Sequence, residues 1–558
     1  MKVYKVLTTA VVVSMLGSVV AACGKSDSAS PSTSPSSGSN SSAPAAKQEI
    51  KINFTAEPPA LDNSKATTNA SFTMLNAMNE GLYRLDKDGK PVAGLAKDMP
   101  KISDDKLTYT ITLRDNLTWS DGSPLKASDF VSSFQRTLDP GTKAQYAFMV
   151  AWLKGGEALL GAKTPDEIKA KKAELGVKAV DDKTIEIKLE KPVAFFTQLL
   201  AFPLFFPQKT DEVTKQGESY GKDADKVTGA GPYILKEWAH EQRLVFEKNP
   251  KYWDAANVKL EKITMNIVKD RAGAVNLFET KEADLTEING DFVKQFEGKP
   301  EYTIKKELTN SYLMFEQKKA PFLANKNIRQ ALTMAVDRKA HVATVLKNGS
   351  VESTGLVPVG TSDGNNGDFR KLSGDIQPKY DPAKAKELLA KGLQELGMTQ
   401  LPSFKLTTDD TEGGKKSLEF IIAQWKQNLG VTAVADAVPH ELRVDRQHKK
   451  DYEALIALWG ADYNDPMTFL DMWTTTSEFN ETDWSNAQYD ELIKKAETEK
   501  DPATRAKQLA DAEKILMDEM PVGPLYFRSK VYAKRTNIDG LFFPSFGPEF
   551  ELKWVSIK

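Results

Sequence analysis

The sequence predicts a mixed α/β protein made of lobes joined by short hinge strands, an arrangement that suits a clamshell. Three observations carry this expectation. Period-two and 3.6-residue hydrophobic patterns interleave from Gln48 to the C-terminus. The chain has 558 residues, enough for three or four domain-sized units at roughly 150 residues each. No internal repeat and no second low-complexity stretch follows Lys47, so these units lack flexible linkers.

The N-terminus comes first in the chain and reads separately. Lys2 and Lys5 form a basic start, and Val6 to Ala22 is an apolar run broken only by small or hydroxyl residues. This is a signal-peptide pattern, too short for a comfortable membrane span, and residues 1–22 are expected to be removed. Val20-Ala21-Ala22-Cys23 resembles the bacterial lipobox, which implies cleavage before Cys23 and acylation of its thiol. Two or more acyl chains would hold the protein stably on a membrane surface. Residues 23–47 then form a tether: ten serines lie between Gly24 and Lys47, with three prolines and no large apolar side chain. Such a stretch cannot offset its ordering entropy and is expected to be disordered, with a reach on the order of 25–30 Å.

Leu107, Tyr109, Ile111 and Leu113 alternate with polar residues and predict a half-buried strand. Ile185, Ile187 and Leu189 repeat the pattern between a turn at Asp181-Asp182 and Pro192. Asp381-Pro382 predicts a helix start, with Ala385, Leu388, Leu389 and Leu393 as its buried stripe and Gly397 beyond its end. Asp501-Pro502 predicts a second helix running toward Met517.

Composition and motifs exclude more than they propose. Lys plus Arg number 75 and Asp plus Glu 77, so no basic excess suggests a nucleic-acid partner. One cysteine and four histidines leave no zinc or iron–sulfur cluster, and no cofactor or metal is expected. Gly360-Thr361-Ser362-Asp363-Gly364 fits the nucleophile-elbow spacing, but Pro358 before it and polar residues after it predict a loop. Gly229-Ala230-Gly231-Pro232 imitates a phosphate loop, yet Pro232 removes a donor. Asp104-Asp105 and Asp409-Asp410 read as solvated turns. No catalytic group stands out, and the chain is expected not to be an enzyme.

Several blocks carry a resemblance. Leu107 to Arg114 followed by Leu117-Thr118-Trp119-Ser120-Asp121-Gly122-Ser123-Pro124 is similar to the signature of the peptide/nickel class of extracellular solute-binding proteins of ABC importers. In family order stand Glu57 to Asp62, Glu80 to Tyr83, Gly229 to Tyr233, Asn249 to Trp253, and Ile328 to Leu332 with Ala335 to Arg338. Last comes Trp459-Gly460-Ala461-Asp462-Tyr463-Asn464-Asp465-Pro466, which resembles the oligopeptide-binding branch.

The resemblance implies a two-lobed periplasmic-binding-protein-like clamshell with an additional inserted domain. Lobe I would be discontinuous, from 48–79, 225–308 and 525–558; the inserted domain would span 80–224, and lobe II 309–524. It further implies a monomer, lipid-anchored on the extracytoplasmic face of the cell membrane, that passes oligopeptides to ABC permease subunits and their ATPases. By resemblance Asp462 would pair with the peptide's α-ammonium, Trp459 would wall a side-chain pocket, and the backbone of Gly460 and Ala461 would bond the ligand. Tyr146 on the inserted domain and Asn69 near the first hinge would also touch it.

Three positions depart from the family pattern. Asn63 replaces a usual proline, which affects a local turn; Glu316 stands where many members have asparagine. His440 sits where some have a pocket tryptophan, implying a smaller, more polar and pH-sensitive pocket. Dipeptides, signalling peptides or another solute remain alternative ligands, and a surface scaffold or chaperone-like lipoprotein is an alternative role. A surface hydrolase is a third reading, for which no nucleophile–base pair can be assembled.

Overall fold

The computed structural model describes residues 46–365 and 367–558. The signal peptide, Cys23 and the tether up to Ala45 lie outside the described residues. Strands and helices interleave along the rest of the chain, and the mixed α/β expectation holds.

The largest element is one eleven-stranded sheet that runs unbroken through the molecule. Its order is Ala433–Val438, Phe404–Asp409, Ala454–Gly460, Tyr302–Phe315, Val522–Lys534, Leu285–Ile288, Glu49–Phe54, Lys262–Ile267, Arg243–Lys248 and Tyr233–Ala239, with Val351–Glu352 paired onto Val522–Lys534. Each end has its own parallel set. Phe404–Asp409 runs parallel to both Ala433–Val438 and Ala454–Gly460, and Glu49–Phe54 runs parallel to both Lys262–Ile267 and Leu285–Ile288. Between them lie Tyr302–Phe315 and Val522–Lys534, long antiparallel partners that belong to both halves.

One half buries Leu313, Phe315, Phe404 and Leu406 against helices Lys326–Met334, Pro382–Glu395 and Glu412–Leu429, forming a core of its own. The helices start where the sequence predicts. Asp381 and Asp501 accept the N–H of Lys384 and Thr504, satisfying donors that a helix leaves free. Helix Pro502–Glu519 extends two residues past Met517. Fully buried Arg329 donates to the carbonyls of Glu519 and Met520, a cation placed on the terminal carbonyls of that helix.

A separate four-stranded sheet, in the order Lys101–Ile102, Thr108–Thr112, Thr184–Lys188, Val177–Ala179, lies within residues 80–224. Tyr109 faces Ile187 and Ile111 faces Ile185, all buried, as the alternation requires. The block at the start of this segment meets residues that follow it in the chain. Glu80, fully buried, accepts from Arg84 at 2.9 Å, Tyr252 at 2.7 Å and Trp253 at 2.6 Å, and Arg84 also pairs with Glu551 at 2.8 Å. Gly229 and Gly231 press against the end of helix Asn69–Met78: a Cβ on Gly229 would stand 1.8 Å from the Met78 carbonyl oxygen. These glycines allow close backbone approach. Asn63 reaches further than a local turn, donating to the Phe206 carbonyl at 2.9 Å and accepting from Gln208 at 2.6 Å.

Candidate functional site

In open α/β sheets, ligands bind outside the carboxyl ends of parallel strands. Here three such ends, at Asp409, Val438 and Gly460, share one edge. The segment leaving Gly460 is held by bonds from both its backbone and its side chains. Ala461 donates its N–H to the Leu308 carbonyl at 2.7 Å, and Asp462 donates its N–H to Thr468 Oγ1 at 3.2 Å. The Trp459 indole donates to the Thr468 carbonyl at 2.8 Å, fixing the ring over the short helix Met467–Leu470. Asp465 is clamped by Arg505 through two bonds of 2.7 and 2.9 Å, and Asn464 accepts the Ser362 N–H at 2.8 Å. Four members of one block therefore build a rigid loop.

The fifth is left over. Asp462 is 8% exposed, and among the described residues its carboxylate has no hydrogen-bond donor and no cation within 4 Å. It lines a cavity of about 290 Å³ together with Trp459, Tyr463, Asp471, Phe148 and Phe479. Burial alone pushes its pKa up to about 7. Asp471, on the turn after Met467–Leu470, is likewise pushed up to about 7 by burial and then by the Asp462 charge. Its one side-chain bond is from the Tyr463 hydroxyl at 3.5 Å.

The aromatic walls come from both sides of the crevice. Tyr463 stacks on Phe195 at 3.7 Å between ring centroids, and Phe479 makes edge contacts with Trp459 at 5.5 Å and Phe148 at 6.1 Å. Phe148 in turn packs on Tyr146, whose hydroxyl is raised by burial and then by the negative charge of Asp462. Residues 80–224 thus face the loop after Gly460 across the cavity.

Of the residues singled out from sequence, Trp459 and Asp462 line this cavity and Tyr146 stands behind Phe148. Gly460 ends its strand opposite Thr309, and Ala461 is buried with its N–H committed to Leu308. Asn69 is exposed at the start of helix Asn69–Met78 and donates to Glu549 at 3.4 Å, outside the cavity. His440 is exposed at the start of helix His440–His448, 3.2 Å from Asp409, and also does not line it. Asp409 itself is no free turn residue: it ends a strand and holds Arg443 at 2.7 Å. Sequence reasoning missed Asp471, Phe148 and Phe479. Phe148 lies two residues beyond Tyr146 and was within reach; Asp471 and Phe479 follow no spacing that marks them. Gly360 to Gly364 forms a loop, as expected, with the Ser362 N–H spent on Asn464. Among the described residues no group of three potential metal ligands occurs.

A two-lobed α/β clamshell with an unpaired acid in the crevice defines a class of binding protein. The family description "Bacterial extracellular solute-binding proteins, family 5 Middle" matches residues 90–481, and the chain belongs to that family. It is 33% identical over 506 residues to the dipeptide-binding protein DppE of Bacillus subtilis, covering 91% of each chain. To the oligopeptide-binding protein OppA of the same organism it is 32% identical over 517 residues, covering 90% of this chain and 91% of the other. The solved structure of Listeria monocytogenes OppA bound to peptide superimposes with a TM-score of 0.77 at 38% identity, covering 92% of this chain and 99% of that one.

Proposed function

We propose that the protein is a lipid-anchored receptor that captures peptides by their free amino end and delivers them to an ABC permease. The observation that carries the reading is Asp462: a buried residue whose carboxylate, among the described residues, has no hydrogen-bond or ion-pair partner and lines an aromatic cavity at the carboxyl edge of the sheet. Leaving such a group unpaired is unfavourable, and a ligand ammonium would relieve it. Trp459 and Phe479 would flank the ligand, Tyr146 would support the opposite wall, and the backbone beside Gly460 and Ala461 would pair with an extended peptide. Asn69 and His440 would join only where the ligand runs beyond the cavity along the crevice. Strand-like main-chain pairing gives affinity without reading sequence. Nothing in this arrangement calls for catalysis.

The relatives named above include one dipeptide-binding and one oligopeptide-binding protein, so both ligand lengths belong in the test. The domain limits proposed are 48–79, 225–308 and 525–558 for lobe I, 80–224 for the inserted domain and 309–524 for lobe II. The anchor proposed is Cys23, and Cys23→Ser should move the protein from the membrane fraction to the soluble one, or block its processing. Unchanged membrane attachment of a processed variant would refute the anchor.

Asp462→Asn keeps the shape and removes the charge. Truncating one member of a desolvated charge pair costs about 2–5 kcal/mol, so free-amine peptides should bind roughly 30- to several-thousand-fold more weakly. N-acetylated peptides should bind wild type weakly and lose far less on mutation. Independent, additive losses measured by calorimetry would show that Asp462 does not hold the ammonium.

A further inference from the structure

We infer that the cavity holds two cationic groups of one ligand, so that the site favours peptides whose first residue is lysine or arginine. This inference rests on the peptide reading above and names the ligand class within it. An α-ammonium answers one carboxylate. The lining carries four acids, Asp462, Asp471, Glu478 and Glu497; Glu478 is exposed to solvent, and among the described residues neither Asp462 nor Asp471 has a lysine, arginine or histidine within 4 Å. The neighbouring acids differ in this respect: Glu497 at the rim is paired with Lys191 at 2.7 Å, and Asp465 with Arg505 at 2.7 Å. The cations available nearby are therefore spent on other carboxylates, and Asp471 is left with one long bond from the Tyr463 hydroxyl.

The distance along the chain matters as well. Asp462 follows the strand end, and Asp471 follows the short helix Met467–Leu470, so the two acids reach the cavity from opposite ends of one loop. A first residue with its ammonium on Asp462 would send its side chain along the rings of Trp459, Phe479 and Phe148. An aliphatic stem lies well against such rings, and a guanidinium or ammonium gains from their faces before reaching Asp471. A neutral first side chain would leave Asp471 to stay protonated or to sit unpaired, and an acidic one would meet like charge.

The test uses the full chain, stripped of copurified ligand, at pH 7.5. Calorimetry compares dipeptides Xaa-Ala and pentapeptides Xaa-Ala-Ala-Ala-Ala with Lys, Arg, norleucine or Glu as Xaa. Norleucine supplies the lysine stem without its charge. Lys and Arg peptides should bind at least about tenfold more tightly than norleucine, with Glu weakest. Asp471→Asn should bring the Lys-to-norleucine ratio close to one while norleucine binding persists. Equal Lys and norleucine affinities in wild type, or a preference that survives Asp471→Asn, would overturn the inference while leaving peptide capture intact. Absence of binding by every peptide would instead overturn the peptide reading and this inference with it. The wild-type series decides even where the variant folds poorly.

Discussion

In the proposed receptor Asp462 would link proton binding to both stability and peptide capture. Burial raises its pKa to about 7, against roughly 3.9 in an unfolded chain. The folded protein therefore holds this proton more tightly than the unfolded one. The favourable contribution is complete below pH about 4 and is lost as pH rises to about 7. The groups facing it are the Tyr146 and Tyr463 hydroxyls and Asp471, and none is a cation that would reverse the sign. Asn imitates the protonated acid at every pH. Ligand-free Asp462→Asn should then match wild type near pH 4 and exceed it by about 2–4 kcal/mol at pH 8, measured by urea unfolding. A variant no more stable than wild type at pH 8 would contradict the unpaired buried charge. A bound ammonium has the opposite effect on the carboxylate, drawing it into the ionised form. Free-amine peptides should release a proton on binding below pH 7, with affinity falling up to about tenfold per pH unit.

The loop after Gly460 shows what an element needs to hold one such residue still. Arg505 and Asp465 form a buried pair that joins the loop to helix Pro502–Glu519. Removing one member of a buried pair typically costs about 3–5 kcal/mol, because the other charge stays buried. Arg505→Met should destabilise the protein by that amount and weaken peptide binding, since Thr468 and Asp462 lose their support. Arg505→Met with Asp465→Leu should recover much of the stability without recovering affinity. Additive losses across this double-mutant cycle would show that the pair does not act as a unit. The same loop shows how far sequence reaches. The alternation around Tyr109 and Ile187 was legible as strands because that signal is local, whereas the block Trp459 to Pro466 stood out only through its resemblance to the oligopeptide-binding branch. The structural duty of Asp465 was not legible, since its partner lies forty positions away on another helix. For the same reason Glu80, Tyr252 and Trp253 were visible as separate blocks but not as one buried cluster. Asp471 was illegible because only the cavity sets it apart from other acids on the chain.

Closure depends on how the two ends of the sheet are joined. Tyr302–Phe315 and Val522–Lys534 pass through both halves, and their pairing is interrupted: Lys306 faces Ser529, whereas Asn310 faces Phe527. The extra residues form a bulge at Glu307, Leu308 and Thr309, and a bulge loosens the ladder and bends a strand. This irregularity touches the site directly, because Ala461 donates to the Leu308 carbonyl and Gly460 faces Thr309. It is also charged. Arg528 bonds Glu307 at 2.5 Å, and Lys530 bonds Glu549 at 2.5 Å; Lys305 lies buried 3.4 Å from Glu307 and 3.7 Å from Glu549. Burial alone would raise the Glu549 carboxyl, but Lys305 and Lys530 hold it well below the usual carboxylate range. Lys305 thereby bridges the bulge residue Glu307 to Glu549 near the C-terminus. A ligand shifts the balance between open and closed forms only through its different affinity for each; in the proposed receptor the cavity walls from residues 80–224 and from the loop after Gly460 would supply that difference. Saturating peptide should therefore lower the radius of gyration in small-angle scattering and change the tryptophan fluorescence through Trp459. At about a hundred times the dissociation constant, linkage adds about 2.7 kcal/mol, which for a chain of this size raises the melting temperature by about 2–3 °C. Asp462→Asn at the same peptide concentration should show a smaller compaction and a smaller temperature rise, vanishing as the loss of affinity approaches a thousandfold, and N-acetylated peptide should compact wild type less than the free-amine peptide does. Wild type that binds peptide by calorimetry yet keeps its ligand-free scattering profile would mean that the bulge at Glu307–Thr309 is not a hinge and that capture takes place in a preformed crevice.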